Sequence, residues 1–229
     1  MGKSAWLFVI VLLAVAGCGV IGLDAPVTPA PGSPTRAEVT TLLDKVRVIA
    51  ARPRPGGYER GCKAGQACVF GPAWTDDSDA PGSHDGCDTR NNVLAMQLRA
   101  VVHRGRCVVV EGILTDPYTG ADITFIKSDG GRIQIDHVYP LAAAWDMGAA
   151  TWTPDKRRRF ANDLAVNLLA TGAATNQSKG DDTPAEWLPP ARPNHCFYAA
   201  KYLTVAVDYD LPVTAADNAT LHDIARGCP

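Results

Sequence analysis

The sequence predicts an α+β domain stapled by disulfides. Three observations carry that prediction. Short β-branched and apolar runs at 108–114, 123–126 and 132–138 read as strands, with helical periodicities on both sides of them. Seven cysteines follow or close an export-type N-terminus. The chain has 229 residues, 46% of them hydrophobic, enough for one sizeable core.

Lys3 precedes an apolar run from Ala5 to Ala16, too short to span a bilayer comfortably and of signal-peptide length. The run ends in Val15-Ala16-Gly17-Cys18, which looks like a bacterial lipobox. Residues 1–17 are therefore expected to be a lipoprotein signal peptide. Cys18 would carry the lipid and hold the exported protein on the outer face of the cell membrane. The plainer alternative is an ordinary signal peptide, or an uncleaved anchor, with Cys18 free. Residues 18–35 contain Pro26, Pro29, Pro31 and Pro34 among small residues and read as an extended tether. The folded domain is expected over 36–229, because Thr35 and Glu38 have capping-box spacing.

Within that domain, Val39, Leu42, Leu43, Val46, Ile49 and Ala50 recur at helical spacing, so 36–51 reads as a helix stopped by Pro53 and Pro55. Residues 54–86, rich in Gly, Pro and Asp, read as a clipped loop. Asp88 caps an expected helix from Thr89 to about Val102. Strands over 108–114 and 123–126 flank a turn at Asp116-Pro117-Tyr118-Thr119-Gly120, and a third strand covers 132–138. Thr153-Pro154 opens a helix over 154–164. A short strand at 167–170 leads to a helix opening near Thr175. Helices over 196–209 and 214–226 close the chain, the second capped by Thr214 with Asp217 three residues on.

Without Cys18, six cysteines remain. The expected pairs are Cys62–Cys68, Cys87–Cys107 and Cys196–Cys228, since each brackets one locally foldable segment. The rival is a zinc site from Cys62, Cys68, His84 and Cys87. An oxidising compartment and unfamiliar spacing count against it. Net charge is −2, no help to a nucleic-acid reading, but it is uneven. Arg36, Lys45, Arg47, Arg52, Arg54, Arg60 and Lys63 crowd the first part of the domain, while residues 180–229 are mainly acidic. A basic part facing phosphates is one reading, and a mixed solvated surface the other.

The chemistry concentrates in Ile135-Asp136-His137-Val138-Tyr139-Pro140, then Asn167-Leu168-Leu169, then Asn176-Gln177-Ser178-Lys179. Asp136 offers a carboxylate and Asn176 a neutral amide oxygen, two hard ligands for a magnesium-type ion that keeps several waters. His137 diverges from Asp136 on a strand, so its imidazole can take a proton from a water on the other side. Lys179, three residues after Asn176 on a helix, adds a cation at a phosphate. These are the parts that metal-assisted phosphodiester hydrolysis requires.

In this order the motifs resemble the HNH (ββα-metal) endonuclease family, and look closest to an exported bacterial branch related to the C-terminal nuclease domain of GmrSD-type restriction enzymes. The resemblance extends to Cys87-Asp88-Thr89-Arg90-Asn91, Asp116-Pro117-Tyr118-Thr119-Gly120, Phe160-Ala161-Asn162-Asp163 and Glu186-Trp187-Leu188-Pro189-Pro190. It implies a ββα-metal core, with Asp136 and Asn176 holding the metal and His137 as general base. It also implies that Asn167 orients the loop carrying the base. Asp136 and Asn176 stand where the family's name has histidines, which points to Mg2+, with Mn2+ as the alternative. The implied partner is nucleic acid, DNA before RNA, cut with low sequence specificity. Arg90 either contacts phosphate or braces the active-site loop.

Each residue has a plainer use. Asp136 and His137 can satisfy backbone groups at a strand end, Asn176 can cap a helix, Asn167 can make a turn, and Lys179 can be plain surface. His84, His103, His195 and His222 match no motif position. Lys156-Arg157-Arg158-Arg159 reads as a solvated helix face or a DNA-backbone contact. Two other functions compete: a non-catalytic envelope lipoprotein using the fold as a binding scaffold, and a phosphodiesterase for a smaller substrate.

Overall fold

A computed structural model describes Gly2 and residues 27–229. The expected signal peptide, Cys18 and the first part of the tether lie outside the described residues. Ahead of the first helix the chain lies on the domain: the Ala30 amide donates to the Pro193 carbonyl at 2.9 Å.

Helix α1 (Arg36–Leu43) opens with the expected capping box between Thr35 and Glu38. It is shorter than its periodicity suggests. The chain turns after Leu43 so that β1 (Val48–Ile49) can pair in parallel with a strand near the C-terminus. Long-range pairing outweighs local helical preference here. Val39, Leu43 and Val46 are nevertheless buried, as the helical pattern requires.

Helix α2 (Thr89–Gln97) is capped by Asp88, whose carboxylate accepts the Asn91 amide at 2.8 Å. Its expected extension to Val102 is instead strand β2 (Arg99–Arg104), antiparallel to β3 (Val108–Thr115). β-branched Val101 and Val102 suit that pairing better than a last helical turn. β4 (Asp122–Ile126) completes the order β2-β3-β4. The intervening turn is held by buried Asp116, which accepts from the Tyr118 amide and from the Thr171 hydroxyl at 2.8 Å.

β5 (Ile133–His137) pairs antiparallel with β6 (Leu168–Gly172), Asp136 opposite Leu169 and His137 opposite Leu168. Between them lie α3 (Leu141–Asp146), absent from the sequence reading, and α4 (Pro154–Asn162), capped by Thr153 as expected. Burial of Leu141, Ala143 and Ala144 makes α3 helical. α5 (Ala173–Lys179) follows β6 directly. The unit β5-β6-α5 is thus two antiparallel strands and a helix.

α6 (His195–Asp208), β7 (Val213–Thr214, the partner of β1) and α7 (Ala215–Arg226) finish the chain. The three disulfides are Cys62–Cys68, Cys87–Cys107 and Cys196–Cys228, as expected, so the cysteines of the zinc alternative are not available as thiolates. The protein is an α+β fold. One core cluster gathers α1, α6 and α7 around Phe160, Tyr139, Tyr198 and Tyr202, and a smaller one holds Leu94, Val109, Phe125, Ile135 and Leu168. β5 contributes Ile133 and Ile135 to the smaller cluster, and Val138 and Tyr139 just beyond it join the larger. Its C-terminal end therefore sits at the seam of the two. No helix among the described residues is long and apolar enough to cross a membrane.

Candidate active site

Strand alternation sorts the motif residues into two sets. Gln134 and Asp136 project from β5 toward α5, where the Asn176 amide donates to Gln134 Oε1 at 2.8 Å. Lys179 Nζ donates to Asp136 Oδ1 and to the His137 carbonyl, each at 2.9 Å. The other carboxylate oxygen, Oδ2, accepts the Tyr118 hydroxyl. Burial raises the Asp136 pKa, while Lys179 and Tyr118 pull it back down. Burial likewise drives the Tyr118 phenol well above its ordinary value, so it stays a donor.

His137 projects the other way. Its ring stacks on Trp74 with centroids 5.5 Å apart and planes 11° from parallel. Nε2 lies 2.9 Å from the Ala161 carbonyl oxygen. A carbonyl only accepts, so Nε2 carries the hydrogen and Nδ1 keeps the lone pair. Burial is the largest influence on this imidazole and lowers its pKa from 6.5 to about 3, against the opposing effect of the Ala161 bond.

Asn167 is wholly buried and joins both sides of this arrangement. Its Oδ1 accepts the Tyr139 amide at 2.9 Å, and its Nδ2 donates to the Phe160 carbonyl at 3.4 Å. Its own carbonyl accepts the Val138 amide at 2.8 Å. The chain just after His137 is thereby tied to the residue preceding Ala161.

A cleft of about 270 Å³ is bordered by Tyr58, Gln134, Asp136, His137, Asn176 and Asp181, so three of the motif residues border one space. A larger hollow of about 560 Å³, between Val27, Pro29 and α7, holds none of the motif residues. The oxygen donors bordering the cleft are the carboxylates of Asp136 and Asp181, the second of them paired with Arg52, and the amides of Asn176 and Gln134. No cluster of three or more His, Cys, Asp or Glu suited to a metal occurs among the described residues. Such a set fits a hard ion that retains most of its waters, and not one needing four protein ligands.

Two expected phosphate contacts are placed differently. Lys179 is 0% exposed and faces Asp136, not the open cleft. A buried ammonium needs a counter-charge, and Asp136 is the one within reach. Arg90 Nη2 donates to the Ile133 carbonyl at 3.1 Å, at the start of β5. Tyr118 and Trp74 carry no role in the sequence reading. Tyr118 lies in a quoted motif whose partner only the fold reveals, and Trp74 sits in a polar loop that signals no contact.

Two antiparallel strands and a helix, with Asp136, His137 and Asn176 bordering one cleft, give the site a ββα arrangement. Residues 88–224 match the family described as GmrSD restriction endonucleases, C-terminal domain, and the chain belongs to that family. It is also 36% identical, over 222 residues, to an "Uncharacterized secreted protein" of Arthroderma benhamiae, covering 96% of this chain and 98% of that one. No solved structure matches.

Proposed function

We propose that the protein is an exported, metal-dependent endonuclease that hydrolyses phosphodiester bonds, in DNA with little sequence preference. Its family and the secreted description of its fungal relative support that reading. The observation that carries it is the tautomer of His137. With Nε2–H donated to Ala161, the ring keeps an unprotonated Nδ1, and His137 borders the same cleft as Asp136 and Asn176.

In this mechanism His137 Nδ1 takes a proton from the attacking water, and the Ala161 carbonyl steadies the imidazolium that forms. Asp136 and Asn176 would hold a divalent ion, Mg2+ on the chemistry of the donors and Mn2+ as the alternative. When bound, that ion supplies positive charge at the phosphate and at the leaving oxygen. Lys179 and Tyr118 fix the Asp136 carboxylate from either side, and Asn167 fixes the loop that aims His137. Lys179 therefore acts through Asp136. Attachment to the membrane by a lipid on Cys18 belongs to the same proposal and rests on Val15-Ala16-Gly17-Cys18.

The deciding experiment is incubation of purified protein with plasmid DNA, with magnesium or with chelator. Magnesium-dependent nicking is expected. Absence of cleavage of DNA and RNA with either magnesium or manganese refutes the proposal.

A further inference from the structure

A phosphodiester at this cleft needs a protein cation, and most of those nearby are already engaged. Lys179 lies on Asp136. Arg52 pairs with Asp146 and Asp181, each at 2.8 Å. Arg90 reaches the Ile133 carbonyl, and Arg157 donates to the carbonyls of Val69 and Trp152.

Arg60 differs from all of these. Its half-buried guanidinium makes one hydrogen bond, from Nη1 to the Gly71 carbonyl at 3.2 Å, and has no carboxylate partner among the described residues. A guanidinium has five N–H donors in a rigid fork and stays charged even when burial lowers its pKa, as it does here. Tyr58, two residues earlier, borders the same cleft as Asp136 and Asn176.

The loop carrying Arg60 is built to hold it still. The Val69 amide donates to the Glu59 carbonyl at 3.1 Å and the Cys68 amide to the Gly61 carbonyl at 2.9 Å, bracketing Arg60 in a short backbone clamp. Cys62–Cys68 closes that clamp. Tyr58 packs on Phe70 and Trp145, with centroids 6.3 and 6.4 Å away. A desolvated, immobilised cation without a counter-anion is costly unless a ligand supplies one. The loop precedes residues 88–224, so the family match does not include it.

We infer that Arg60 binds the scissile phosphodiester, its planar fork grasping the non-bridging oxygens while the disulfide-clipped loop anchors it two residues from Tyr58 at the border of the cleft. This inference rests on the nuclease reading and deepens it by assigning the phosphate contact to a residue outside the matched segment.

The test compares Arg60→Gln and Arg60→Lys, with exposed Arg104→Gln as a control, all with disulfides formed. Binding of a fluorescent DNA octanucleotide is measured by anisotropy in a His137→Ala background, magnesium binding by calorimetry, and plasmid cleavage in the active background. Loss of one charge-assisted, forked contact should weaken octanucleotide binding and raise KM on the order of tenfold to a hundredfold for Arg60→Gln. Magnesium affinity and thermal midpoint should hold. Arg60→Lys should recover part of the binding, because charge returns without the fork. Arg104→Gln should bind like its parent. A prop for Gly71 would instead lower the thermal midpoint and leave binding by the folded fraction untouched.

A folded Arg60→Gln that binds as tightly as its parent overturns the inference. If that variant does not fold, unchanged affinity of Arg60→Lys overturns it. A parent that binds no octanucleotide overturns it too. A parent that binds through Arg60 yet cleaves nothing refutes the nuclease reading and leaves the phosphate site standing.

Discussion

Lys179 and Asp136 form an ion pair of 2.9 Å in which both side chains are buried, at 0% and 5% exposure. The pair joins the last residue of α5 to the strand bearing the carboxylate, so the helix and β5 cannot separate without uncovering two charges. Removing one partner of such a pair costs more than the pair itself contributes, because the remaining charge stays buried. Lys179→Met should lower the unfolding free energy by about 3–5 kcal/mol, measured by urea denaturation. Asp136→Asn in the same chain should restore part of that loss. A double variant no more stable than Lys179→Met would show that the two groups are not coupled.

His137 gives the stability a pH dependence of fixed sign. Its pKa is about 3 in the folded chain against 6.5 for the free group, so the unfolded chain binds the extra proton more readily. Its contribution is complete above pH 6.5 and is lost as pH falls toward 3. A single proton accounts for a slope of up to about 1.4 kcal/mol per pH unit in that window. The thermal midpoint of the metal-free protein should therefore drop less steeply between pH 6.5 and 4 in His137→Gln than in the parent. Parallel curves would contradict burial of a neutral imidazole.

Much of this site can be read in the sequence, and what cannot has identifiable causes. Caps at Thr35, Asp88, Thr153 and Thr214 are local, and the structure keeps all four. The divergence of Asp136 from His137 follows from strand alternation alone. Ile49 and Val102, by contrast, carry helical spacing yet join β1 and β2, because their strand partners lie far along the chain or across a hairpin. Lys179 reads as a surface cation until β5 supplies its counter-charge. Arg60 and Trp74 belong to a loop whose Gly and Pro content predicts irregularity and says nothing of where it docks.

Asn167 links the two segments that aim the imidazole. Asn167→Ala leaves the Tyr139 amide and the Phe160 carbonyl without their side-chain partners in a fully buried site. Each unsatisfied group costs about 1–3 kcal/mol, so a loss of about 2–5 kcal/mol is expected in denaturant titration. Cleavage should fall further than the folded fraction does, because His137 loses its aim. A variant that is as stable and as active as the parent would exclude this bridging role.

The N-terminal proposal is tested in cells. Cys18→Ala should release the protein from membranes or leave it unprocessed, since the lipid would be its anchor. Metabolic labelling with a fatty acid that enters the parent and its Cys18→Ala variant equally, or enters neither, rules out lipidation at this residue.

The mechanism is most exposed in the contrast between His137 and Asp136. His137→Ala removes the group that takes the proton but none of the oxygen donors at the cleft, so metal and DNA binding should persist while cleavage falls. A general base of this kind contributes on the order of a hundredfold to ten-thousandfold in rate. Asp136→Ala removes the carboxylate proposed to hold the ion and should weaken metal binding directly. It also strips Lys179 of its counter-charge, so its stability must be measured beside its activity. The two variants separate in a magnesium titration of plasmid cleavage. Added magnesium cannot replace a missing base, and His137→Ala should stay slow at every concentration. Small imidazole-like bases should restore part of its rate, provided the space under Trp74 admits them, and should do nothing for Asp136→Ala. If His137→Ala cleaves at the parental rate, or regains full activity merely at higher magnesium, His137 is not the base and the mechanism is wrong.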